Sequence, residues 1–166
     1  MASGQSMIIK HPADAVLPQS VTTTPVPDRR NDQDILVCDA GQDDEFDLPI
    51  VVPEDYAGGG MTAKLFTSAT TATTGVARWS LQWERHQDDA FDTDADGFAT
   101  ALTVDVTAPS ASGEISEDDI AFTDGAQIDS IAAGEIGRIR CSRVGTHAND
   151  TMAAGGEFRG VSIRET

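Results

Sequence analysis

Apolar and polar positions alternate with a period of two along most of the chain from about Tyr56 to Arg164, in short runs separated by Gly, Pro, Asp and Ser/Thr clusters. The clearest run is Val76 to Arg85, with Trp79, Leu81 and Trp83 on one face and Arg78, Ser80, Gln82 and Glu84 on the other. Met61 to Thr67 predicts a strand before it. Phe98, Leu102, Val104 and Val106 predict one after it, followed by two short ones at Ile120 to Phe122 and Ile128 to Ile131. Ala132 to Glu135 reads as a tight turn, Ile136 to Val144 as a longer strand, and Phe158 to Arg164 as the closing one. Upstream, Ile35 to Cys38 and Phe46 to Val52 flank an acidic turn, and Pro49 and Pro53 place the second of these at a sheet edge. No interval carries the 3.6-residue period of an amphipathic helix. Some eight strands in one unit predict an all-β domain of two packed sheets, a single β-sandwich or jelly roll over residues 35–166.

Residues 1–34 differ. They hold four of the seven prolines, Pro12, Pro18, Pro25 and Pro27, with the run Thr22-Thr23-Thr24 and a charged cluster at 28–32. Prolines at this density exclude a helix and remove ladder donors. The segment reads as an extended N-terminal arm with isolated apolar anchors at Met7-Ile8-Ile9 and Val16-Leu17, suited to strapping a neighbouring subunit.

Composition sharpens this picture. Of the 166 residues, 28 are acidic and 11 basic, a formal net charge of −17, which repels a nucleic-acid backbone or an anionic membrane surface. Aromatic residues make up only 5%, so Trp79 and Trp83 are expected in the core rather than on a ligand platform. Cys38 and Cys141 are too few and too far apart for a disulfide scaffold or a zinc site. The first residues lack a basic stretch leading into an apolar one and no run approaches a membrane span, so synthesis in a reducing cytoplasm is expected.

Candidate chemistry is sparse. Asp92, Asp94 and Asp96, with Gly97, reproduce the start of a calcium loop. The position for its closing bidentate Glu is Thr103, however, and no helix flanks it, so a solvated acidic hairpin loop is the expected state, with these three carboxylates the candidate ligands for a hard cation. Gly58-Gly59-Gly60 is not followed by Gly-Lys-Ser/Thr and is read as a turn. His11, His86 and His147 are scattered, and pairs such as Asp118-Asp119 point to opposite faces of a strand rather than across a cleft. Asn149-Asp150-Thr151 matches a glycosylation acceptor and is read as chance in a polar loop. No catalytic residues, no cofactor and no enzyme activity are expected.

Several spaced motifs add a resemblance. Val52-Pro53-Glu54-Asp55-Tyr56-Ala57-Gly58-Gly59, Gly75-Val76-Ala77-Arg78-Trp79, Ala133-Gly134-Glu135 ahead of Arg138 to Arg143, and Asn149-Asp150-Thr151 before a final strand together resemble small virion structural proteins of tailed bacteriophages. The likeness covers about residues 50 to 166. It implies a jelly-roll module that decorates or cements the outside of a capsid. Its expected partner is the major capsid protein, as a homo-oligomer with a trimer favoured, and its location is the virion exterior. The alternative is a phage tail, fibre or receptor- and carbohydrate-binding β-sandwich.

Overall fold

Strand-forming runs bounded by turn residues give ten strands in the computed structural model, which describes residues 6–19 and 23–166. The chain start Met1–Gly4 and Thr22 of the threonine run lie outside the described residues. In chain order the strands are β1 Ser6–Lys10, β2 Val26–Arg30, β3 Gln33–Cys38, β4 Asp43–Val51, β5 Met61–Ala69, β6 Val76–His86, β7 Leu102–Thr107, β8 Ser116–Phe122, β9 Ile136–Val144 and β10 Gly156–Glu165. A single 3-10 turn at Pro12–Asp14 is the one helical element among the described residues.

All pairings are antiparallel. One sheet runs β2-β3-β10-β5-β8, with β1 also on β10, and the other runs β4-β9-β6-β7. Strands β3 to β10 alone form two four-stranded sheets in the orders 3-10-5-8 and 4-9-6-7, the arrangement of a jelly roll. The fold is therefore an all-β sandwich, as the periodicity predicted.

Alternation fills the space between the sheets. Trp79, Leu81 and Trp83 of β6 are fully buried, together with Phe46 and Leu48 of β4, Met61 and Leu65 of β5, and Phe158 and Ile163 of β10. Aromatic pairs join the layers: Phe46 meets Phe158 at 4.7 Å between centroids, and Trp83 meets Phe122 edge-on at 5.8 Å. The expected strand at Ile128 to Ile131 is a turn instead. Asp129 and Ser130 have φ of 55° and 49°, which breaks an extended ladder, while Ile128 and Ile131 still plug the end of the core.

The N-terminal segment is extended, and its described residues lie along the chain's own sandwich. β1 pairs with the second half of β10 and buries Ile8, Val16 exchanges two backbone hydrogen bonds with Asp47, and β2 pairs with β3. The β2–β3 hairpin straddles residue 34 and turns on Asn31 and Asp32, both at positive φ, the two-residue geometry that matches strand twist. Pro27 is tolerated because β2 is an edge strand. Deleting residues 1–34 therefore exposes the edges of β10 and β3. Thermal melting is expected to show a lowered midpoint and concentration-dependent association of the truncated chain. An unchanged midpoint would mean that these strands add nothing.

At one end of the sandwich a charged group sits in the core. The Arg143 side chain on β9 is fully buried and its donors are all used: Nε and Nη2 donate to the Asp150 carboxylate at 2.9 and 2.7 Å, Nη1 to the carbonyls of Cys38 and Ala154, and Nη2 also to that of Met152. Asp150 also accepts the backbone N–H of Arg78 at 2.9 Å. This hub fastens the loop between β9 and β10 to both sheets.

Candidate functional site

Three surfaces carry chemistry-bearing side chains. On the first, the acidic loop, Asp92, Asp94 and Asp96 are all exposed, and two of them turn on the loop's own backbone: Asp96 accepts the Asp92 N–H at 2.7 Å and Asp92 the Asp94 N–H at 3.0 Å. These carboxylates cap a turn. No group of three or more His, Cys, Asp or Glu among the described residues is placed to hold a metal ion.

The second is the outer face of the β4-β9-β6-β7 sheet, where period-two alternation projects Asp47, Arg138, Arg140 and Glu84. Arg138 donates from Nη1 to Asp47 at 3.0 Å, from Nη2 to Glu84 at 3.0 Å and from Nε to the other Glu84 oxygen, while Arg140 Nε reaches Asp47 at 2.8 Å. Phe98, carried over by the β6–β7 loop, lies on both guanidinium groups at 4.7 and 4.2 Å. The network is satisfied and capped, which suits a structural role.

Burial pushes the Glu84 carboxyl up, but hydrogen bonds from Arg138 and His86 outweigh it and hold the group below its ordinary value of 4.5. Its contribution to stability is thus full above that value and lost as pH falls through the lower folded one. The melting-temperature gap between the native chain and Glu84→Gln is expected to be widest near neutrality and to close in acid. A gap that widened in acid would contradict this.

The cysteines offer no nucleophile at neutral pH. Both are buried, and burial pushes each thiol well above its ordinary range, with Asp44 adding to the effect at Cys38 and Asp47 at Cys141.

The third surface is a recess of about 430 Å³ on the outer face of the other sheet. It forms where the edge of β10 passes from β1 to β3: Lys10 pairs with Val161, Phe158 with Leu36, and β10 bulges between them at Gly160. Gly160 has φ +154°, and a Cβ there would stand 2.9 Å from the Lys10 carbonyl, so the close passage of β1 requires glycine. Phe66, the cross-strand partner of Gly160, faces the recess with Ile115, which is 55% exposed. Lys10, His11, Gln33, Asp34 and Arg159 supply the polar rim. No sequence reading grouped these residues: they come from five separate stretches, and only the strand pairing brings them together. An apolar concave floor with a few convergent polar groups is the usual form of a small-ligand site.

No family model and no curated protein sequence matches the chain. Solved structures do. An arabinose-bound α-L-arabinofuranosidase superposes with a TM-score of 0.51 at 10% identity, over 92% of this chain and 23% of that one, so this chain spans about a quarter of the enzyme's length. A xylan-binding domain of Paenibacillus barcinonensis gives 0.48 at 10% identity, covering 98% of this chain and 95% of that one. The enzymatically active domain of tailspike protein 4 of bacteriophage CBA120 gives 0.44 at 12%, covering 92% and 19%. At such identities the likeness is one of fold, the β-sandwich described above. No helix among the described residues is long and apolar enough to cross a membrane.

Proposed function

We propose that the chain is a non-catalytic β-sandwich that recognises carbohydrate as part of a phage tail or fibre, and that the recess at the β10 bulge is its binding site. The observation that carries this reading is the pairing of an apolar floor, Phe66 and Ile115, with a rim of side chains that retain hydrogen-bonding capacity. A sugar ring presents an apolar face edged by hydroxyls, and this combination matches it. The rim holds one carboxylate, Asp34, already bonded to Arg29 Nε at 2.9 Å, whereas glycoside hydrolysis calls for two across a cleft. Screening the protein against an oligosaccharide array should yield saturable binding to a defined set of glycans without release of shorter products. Binding to none of them would remove this reading.

A second reading, decoration of a capsid shell by a trimer, draws on one observation. Ile9, Val16 and Val26 of the N-terminal segment are each more than half exposed, apolar anchors free to seat on a neighbour such as the major capsid protein. Antibody labelling of intact particles on the head and not the tail would favour it.

A further inference from the structure

The recess differs in charge from the rest of this acidic molecule. Lys10 and Arg159 both line it, and the Lys10 ammonium, unlike its backbone, which pairs with Val161, forms no hydrogen bond or ion pair with any described residue. Most of the nearby carboxylates are paired: Asp34 with Arg29, Glu117 with Lys64 at 3.1 Å, and Glu157 with Arg159 itself at 3.1 Å but also with Arg30 at 2.7 Å, so that two guanidinium groups share one carboxylate; Asp14 accepts the backbone N–H of His11.

Arg159 is the more telling of the two. Its side chain is only 9% exposed and is held on one side by Ser68 Oγ, at 2.8 Å from Nε, and by Glu157, bonded to Nη2. Among the described residues Nη1 has a single hydrogen bond, at 3.5 Å, to the Oε1 of Gln33, itself a rim residue. A guanidinium has five donors, so this one is fixed in orientation while its outer nitrogen is left underused. That arrangement suits a carboxylate, which accepts planar, paired donors and strengthens them by its charge. The net charge of −17 opposes an anion at long range, but physiological salt screens beyond about 8 Å, and within that distance the local cations decide.

We propose that the recess takes a carboxylate-bearing sugar, its ring against Phe66 and Ile115 and its carboxylate at Arg159 Nη1 with Lys10 on the same rim. The inference rests on the carbohydrate-recognition reading and adds the class of sugar.

The test is a binding series with uronate oligosaccharides and sialic-acid-terminated oligosaccharides, each beside its carboxyl-reduced counterpart, on the full chain. One of the two acidic sets is expected to bind and to lose at least about tenfold in affinity on carboxyl reduction. Arg159→Gln is expected to lose a similar factor, and Lys10→Gln, which breaks no side-chain hydrogen bond or ion pair to a described residue, a smaller but measurable one. Equal binding of acidic and reduced forms would overturn the acidic assignment and leave carbohydrate recognition standing. Unchanged affinity in a folded Arg159→Gln and in Lys10→Gln would overturn the assignment of the carboxylate to this rim. Binding to neither form of either set would overturn this inference, and carbohydrate recognition would fall with it only if no oligosaccharide on the array bound either.

Discussion

Asp150→Ala should destabilise the protein by about 3–5 kcal/mol, a large share of what a domain of this size has available. The Arg143 guanidinium is wholly enclosed, and Asp150 is its one carboxylate partner, bonded through both oxygens. Truncating the acid leaves a buried cation without its counter-charge, a far larger penalty than loss of an exposed ion pair. Arg143→Lys should also be severe, because an ammonium with three donors cannot serve a carboxylate and the carbonyls of Cys38, Met152 and Ala154 in one plane. Denaturant unfolding of both variants checks this. A midpoint within experimental error of the parent would show that the hub contributes no stability.

Trp79→Ala should cost a similar amount, about 3–5 kcal/mol, through the cavity left at the centre of β6. The side chain is fully buried and packs beside Gly156 of the opposite sheet, where an added Cβ would lie 3.1 Å from the indole. Trp79→Phe should cost much less. It keeps most of the apolar volume and removes an indole N–H that meets no acceptor among the described residues. Equal losses for the two variants would show that the ring system as a whole, and not its volume, is what the site requires.

The strand carrying Trp79 was legible because its alternation is regular over ten residues and its apolar face is aromatic. The same logic would have reached Arg143, which no sequence reading placed in the core: Ile139, Cys141 and Arg143 share a parity, so the pattern that buries Cys141 also buries the arginine. What hid it was the charge, which ordinarily marks an outward residue, and the partner, which stands in a motif that reads as chance. The hairpin at Asn31 and Asp32 has the residues a tight turn with positive φ prefers, but the prolines ahead of it, Pro25 and Pro27, drew the reading toward an extended arm. The recess was not legible at all. Its floor and rim come from β1, β3, β5, β10 and the turn before β8, and it depends on a bulge at Gly160 that no local pattern announces.

Chemical-shift mapping tests the central claim most directly. Amide and methyl resonances of the full chain would be followed during titration with a saccharide that binds on the array. Perturbations are predicted at residues 9–13, 33–34, 66, 115 and 159–161, around the bulge of β10. Shifts centred instead on Phe98, Arg138 and Arg140 would place the site on the opposite sheet and contradict the account.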